Sequence, residues 1–249
     1  MIRIIIHGCC GRMGHIITEI CEKDEKTQVV AGVDAFGDAY AGFPVYRDLS
    51  DCPEADVVID FSTASAVDGL LAYCTAKNLP VVVCTTGLSD EQTKALQSAA
   101  EKIAVLKSAN MSVGVNLIEA LIAQAAPKLA QAGFDIEIVE KHHNQKIDAP
   151  SGTAIMLANA INETLDNSKH YVYDRHSRRQ KREKSEIGMH AIRGGTIVGE
   201  HDVIFAGNDE VITLSHSAAS KTVFAAGAVN AAVFLKDKPA GLYDMSQLV

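Results

Sequence analysis

Apolar and polar positions follow two rhythms along the first 110 residues. Residues 2–6, 29–33, 57–61, 80–84 and 103–106 are short runs that are apolar almost throughout, the pattern of strands buried on both faces. Residues 14–21, 66–77 and 91–100, between them, carry helical spacing. Strands and helices in this alternation predict a doubly wound parallel sheet of the Rossmann type.

Beyond residue 110 the pattern changes. A long apolar helix is predicted over 113–130, and a strand over 134–140 with Ile136 and Ile138 on one face. A helix over 151–164 follows Pro150. Residues 171–173, 187–192, 196–205 and 210–215 then read as strands, before an alanine-rich helix over 221–235. The fold class is therefore α/β, with a second α+β domain carrying a mixed or open sheet. An interrupted organisation fits, with 1–110 and 217–249 in the first domain and 111–216 in the second.

The net charge of −8 excludes a general attraction to nucleic acid or to an anionic membrane. No uninterrupted apolar run approaches the length of a membrane span, and the first strand is broken too soon for a secretory signal. The cysteines are Cys9, Cys10, Cys21, Cys52, Cys74 and Cys84, without a C-x-x-C pair. They read as reduced thiols of a cytoplasmic protein, and no metal site is expected. Arg175, Arg178, Arg179, Lys181, Arg182 and Lys184 form a basic run. It is either a solvated loop or a positive rim for an acidic ligand.

The first candidate chemistry is Gly8-Cys9-Cys10-Gly11-Arg12-Met13-Gly14, directly after the first strand. Gly8 permits a tight turn, Gly11 lets backbone approach a pyrophosphate, and Gly14 allows close helix–strand packing. The helix start then offers free N–H groups and a positive dipole end, with Arg12 beside them. Asp34 closes the second strand, where an acid can accept from an adenine ribose. A flavin or a methyl donor is the alternative occupant. Phe61-Ser62-Thr63 and Thr85-Thr86-Gly87 follow the third and fourth strands, where open sheets bind ligands. Such loops also favour Ser, Thr and Gly for their turns alone.

The densest polar stretch is Glu140-Lys141-His142-His143-Asn144-Gln145-Lys146-Ile147-Asp148-Ala149-Pro150-Ser151-Gly152-Thr153. It lies between an apolar strand and an apolar helix. Lys146 supplies a cation, and His142 or His143 can deliver a proton near neutral pH. Ser151 or its neighbours can cap the helix, whose N–H groups could also receive a carboxylate. Metal ligation has no nearby cysteine or third histidine to support it.

These two stretches resemble the 4-hydroxy-tetrahydrodipicolinate reductases, also called dihydrodipicolinate reductases. Ala109-Asn110-Met111-Ser112-Val113-Gly114-Val115-Asn116 is similar to that family's hinge segment. Glu186-Ile187-Gly188, Arg193-Gly194-Gly195 and Val198-Gly199-Glu200-His201 extend the resemblance across the chain. It implies reduction of a cyclic dicarboxylate on the diaminopimelate route to lysine, with water lost and NADH or NADPH as hydride donor. It further implies a homotetramer joined through the second domain's sheet, a dinucleotide-binding first domain, and a substrate-binding second domain. His142 would be the general acid and Lys146 the charge-stabilising catalytic partner. His143 would meet one carboxylate, and Ser151, Gly152 and Thr153 the other. Gly8 to Gly14, Asp34, Phe61, Ser62, Thr63, Thr85, Thr86, Gly87, Ala109, Asn110 and Met111 would hold the cofactor. The chain departs from the family at Ala64, where proline is common, and at Cys84, where glycine is common. Asp34 followed by uncharged Ala35 predicts a preference for NADH, with NADPH usable. The rival readings are a dehydrogenase of another small carboxylic acid and a non-catalytic nucleotide sensor.

Overall fold

The apolar runs of the first third pair in parallel. In the computed structural model, which describes residues 1–108 and 110–248, they form β1 (Ile2–His7), β2 (Thr27–Val33), β3 (Val45–Tyr46), β4 (Val57–Asp60), β5 (Val81–Val83) and β6 (Ala104–Lys107). A late strand, Gly241–Tyr243, joins β6, and the sheet then runs β6-β5-β4-β1-β2-β3. The two outermost strands have only two and three residues, too few for a periodic signal in the sequence.

Alternation along β1 shows why both faces are apolar. Ile4 and Ile6 pack with Ile17 of α1 (Arg12–Lys23) and with Ala225 and Ala228 of a late helix. Ile5 turns the other way, toward Leu70 and Leu71 of α2 (Val67–Lys77) and Leu96 of α3 (Asp90–Ala100). All three isoleucines are fully buried, each contributing about 1.5–3 kcal/mol of transfer free energy. The late helix returns to this sheet, so one compact unit comprises Met1–Val113 and Lys221–Val249.

The second unit, Gly114–Ser220, is built on β7 (Asp135–His142), β8 (His170–Val172), β9 (Glu186–Arg193), β10 (Gly199–Ala206) and β11 (Val211–Ala218). Their order is β11-β10-β7-β9-β8. β9 is parallel to β7 and β8, whereas β10 is antiparallel to β7 and β11, so the sheet is mixed. One face packs on α4 (Val113–Gln131) and α5 (Gly152–Glu163), through Ile122, Ile136, Ile138, Leu157 and Ile161. After the second unit comes α6 (Thr222–Leu235), the late helix that covers the first sheet, and then the strand that joins β6. Among the described residues no helix is long and apolar enough to cross a membrane.

The basic run is a largely exposed loop, as one reading had it, but part of its charge is paired. Arg182 donates through Nε to Glu137 (2.8 Å) and through its other nitrogens to Asp135 and to the carbonyls of Ile136, Glu183 and Glu186. Arg175 joins Glu137 to Glu186, and Lys184 reaches Asp135 at 2.7 Å. Arg175, Arg182 and Lys184 tie the segment before β9 to the start of β7.

Candidate active site

β1 hands the chain directly to the glycine loop. Gly8 has φ +82°, and a Cβ there would stand 2.6 Å from the Phe61 carbonyl oxygen. A Cβ on Gly14 would overlap the Cys9 backbone, so α1 starts hard against the loop. Gly11 occupies the cap position of α1 and offers no side-chain hydrogen bond. The first-turn N–H groups therefore face outward without a side chain to satisfy them.

Asp34 is tied to the same loop. One carboxylate oxygen accepts from Cys10 N at 3.1 Å, and the other from Phe36 N and Gly37 N at 3.0 and 3.2 Å. Burial pushes its pKa up, but these three N–H groups, aided by the Arg47 charge, outweigh burial and hold it below the usual value. The carboxylate is thus ionised. With roughly four acceptor positions on such a group, it keeps room for about one more donor. Arg47 donates from one guanidinium nitrogen to the carbonyls of Asp34 and Gly37, and from the other to the Asp38 carboxylate.

A cavity of about 270 Å³ gathers Gly8, Gly11, Asp34, Phe61, Ser62 and Thr63. Other expected cofactor residues lie elsewhere. Cys9 is fully buried and Arg12 is exposed, while Met13 packs partly against the core. Thr85 is buried, its carbonyl receiving Lys107 Nζ at 2.7 Å, and Thr86 is exposed. Gly87 lines a separate cavity with Lys107 and Tyr243. Met111 is buried, Asn110 accepts from Ser112 N, and Ala109 lies outside the described residues.

The sequence reading missed a buried pair under this loop. Asp60, fully buried, meets His7 Nδ1 at 2.9 Å and accepts from Ser62 Oγ at 2.5 Å. Burial raises its pKa, and the bonds from His7 and Ser62 overcome that, leaving a buried carboxylate. An aspartate ending the all-apolar run Val57-Val58-Ile59 was the available signal.

In the second unit, the alternation that buries Ile136 and Ile138 carries Glu140 and His142 onto the same covered face of β7. Polar groups there need partners. Glu140 Oε2 meets His142 Nδ1 at 2.6 Å. Arg193, at the end of β9, donates to both Glu140 oxygens at 2.7 Å, and Ser151 N donates to one at 3.0 Å. Burial pushes the Glu140 pKa up, yet Arg193, His142 and Ser151 together hold it low. An ionised carboxylate only accepts, so His142 carries its ring proton on Nδ1. Its Nε2 faces Gly199 of β10, where a Cβ would stand 3.1 Å away.

Burial lowers the His142 pKa, and Lys146 and Arg193 add to that, while Glu140 pulls it back up. His201 lies beside it, with ring centroids 5.2 Å apart. Its pKa is pushed down to about 4, first by burial and then by the His142 charge. Lys146 pairs with Asp148 at 2.9 Å. His143 is half-buried, with a buried Nδ1 that has no partner.

Ser151 is engaged within the protein through both its N–H and its hydroxyl. It is 2% exposed, and its N–H is taken by Glu140. Its hydroxyl caps α5 at Ala154 N and meets His201 Nε2 at 3.0 Å. Gly152 and Thr153, exposed and half-buried, start the helix beyond it. Glu140, Arg193 and His201 belong to this constellation, although the sequence reading gave them no role.

Residues 2–111 match the family model described as dihydrodipicolinate reductase, N-terminus, and residues 114–249 that for its C-terminus. A 4-hydroxy-tetrahydrodipicolinate reductase of Caldanaerobacter subterraneus is 52% identical over 100% of this chain and 98% of that protein. One from Clostridium tetani is 50% identical over 98% of this chain and 96% of its own length. A dipicolinate-bound dihydrodipicolinate reductase from Paenisporosarcina superposes with a TM-score of 0.83 and 26% identity, covering 100% of both chains. An aspartate dehydrogenase from Thermotoga maritima, at 8% identity and a TM-score of 0.56 over 96% of this chain and 98% of that one, shares the fold alone. On its two matched halves and its full-length relatives, the chain belongs to the dihydrodipicolinate reductase family.

Proposed function

We propose that the chain reduces 4-hydroxy-tetrahydrodipicolinate to tetrahydrodipicolinate, with loss of water, using a nicotinamide nucleotide on the diaminopimelate route to lysine. The observation that carries this reading is the buried Glu140–Arg193–His142 network at the entrance to α5. It prepares one histidine nitrogen to give a proton.

The first unit fits the cofactor. The crowding that a Cβ would cause at Gly8 and Gly14, the uncapped start of α1 and the ionised Asp34 suit a pyrophosphate and an adenine ribose. The bound nicotinamide supplies the hydride. His142 donates a proton from Nε2 to the ring carbon next to the reduced one, and Glu140 stabilises the protonated imidazole. Lys146 balances charge at the ring nitrogen or a carboxylate, and His143 meets one carboxylate. The second carboxylate is received by Gly152 and Thr153 at the start of α5, with Ser151 fixing that helix in place.

Asp34 favours the two free ribose hydroxyls of NADH and repels a 2′-phosphate. Arg47 is the nearby cation that makes NADPH usable. The second unit's sheet exposes Ile192 and Val211 on the face away from α4 and α5, which supports a homotetramer joined there. A cytoplasmic location accords with free cysteines.

The test is an assay of the purified chain with NADH and freshly generated 4-hydroxy-tetrahydrodipicolinate, following nicotinamide absorbance. Saturable oxidation that depends on this substrate is expected. Tight NADH binding without oxidation would contradict the reading and favour a nucleotide sensor.

A further inference from the structure

The glycine loop holds a pair of groups that hydride transfer does not use. Cys9 Sγ and Cys10 Sγ lie 3.7 Å apart. Zinc–thiolate bonds of about 2.3 Å in tetrahedral geometry place two sulfurs on one ion about 3.8 Å apart. An Asp34 carboxylate oxygen completes a group of three ligand atoms, all within 4.8 Å of one another. Among the described residues no other histidine, cysteine or acid set is gathered in this way.

The fold makes room for both sulfurs. A Cβ on Gly32 would stand 2.5 Å from Cys9 Sγ, and one on Gly37 would overlap the Cys10 side chain. The Asp34 bond to Cys10 N and the Tyr40 hydroxyl bond to the Cys9 carbonyl (2.8 Å) hold the loop in this shape. Cys10 is half-buried, which leaves the pair an approach from solvent.

We propose that Cys9, Cys10 and Asp34 form a site for a thiophilic divalent cation such as zinc or cadmium, whose occupation excludes the dinucleotide. Two S–H bonds are replaced by two metal–sulfur bonds and two protons leave to solvent. The ion stays divalent, so no oxidant or reductant enters. A thiolate is the ligand form of cysteine, so the cation displaces the thiol protons on binding. The exclusion rests on the reading that Asp34 holds the ribose, because one carboxylate cannot serve both ligands. The metal site itself does not rest on it.

The test titrates the reduced full-length chain with Cd²⁺, reading thiolate-to-metal absorbance in the ultraviolet. One equivalent is expected, with affinity at least tenfold weaker in Cys10→Ser, unchanged in Cys52→Ser, and reduced by saturating NADH. No absorbance at one equivalent, or equal affinity in Cys10→Ser, overturns the site. Binding that persists unchanged beside saturating NADH keeps the site, overturns the exclusion and removes Asp34 from the ribose. If Cys10→Ser does not fold, alkylation of the native chain decides. Cd²⁺ should shield Cys10 and leave Cys52 reactive, and equal labelling of Cys10 with and without Cd²⁺ overturns the proposal.

Discussion

Two helices in this chain start at polar loops built by opposite means, and both are proposed to receive anions. At α1 the preparation is subtraction: Gly8, Gly11 and Gly14 remove side chains, and no cap satisfies the first turn. At α5 it is addition: Ser151 caps the helix, and Glu140, Arg193 and His201 fill the space behind it with paired polar groups. Both ends offer a positive dipole. Only the second also fixes the protonation of a neighbouring ring. The difference teaches that the proposed cofactor loop relies on room for backbone, whereas the proposed proton donor relies on a buried partner.

The comparison breaks most visibly at His142. His142→Gln keeps the polar shape but removes the proton, and turnover is expected to fall by about 10²–10⁴-fold. NADH affinity should be unchanged, since no cofactor residue of the first unit is touched. Steady-state kinetics and NADH titration on one preparation check this.

The next effect is on stability. His201 has a folded pKa of about 4 against an ordinary 6.5. Above pH 6.5 the ring is neutral in both folded and unfolded chains. As pH falls below that, the unfolded chain takes up a proton that the folded ring refuses, so stability is lost, by about 2 kcal/mol between pH 7 and pH 5. Urea melts at the two pH values measure the loss. In His201→Asn that part of the pH dependence should disappear.

The smallest expected effect sharpens the α1 side. Arg47→Ala should lower the efficiency with NADPH by about two- to fivefold, as expected for one exposed charge pair, and leave that with NADH nearly unchanged. An equal loss with both cofactors would remove Arg47 from the phosphate.

The two loops were not equally legible in the sequence. The glycine loop is local: seven consecutive residues carry it, and strand, turn and helix follow in order. Arg47 was hidden because β3, which leads into it, has two residues and no periodicity. The polar loop showed its own residues, but not how they are used. Arg193 and His201 lie 53 and 61 positions beyond Glu140, so only pairing of β9 and β10 with β7 brings them in. Glu140 itself was readable in principle, since it falls on the buried alternation of Ile136 and Ile138. Ser151 was readable as the cap of α5, because Pro150 precedes it and an apolar helix follows.

The most direct measurement of this account is the pH dependence of kcat/KM in Glu140→Gln. As the proposed general acid, His142 must be protonated, so activity is expected to fall as pH rises through its pKa. Glu140 raises that pKa by hydrogen bond and charge. Replacing it with a neutral amide should move the fall to lower pH and cut kcat by roughly 10–100-fold, with NADH affinity retained. A pH profile identical to that of the unaltered chain, or a loss confined to NADH affinity, would contradict the claim that this buried carboxylate sets the catalytic proton.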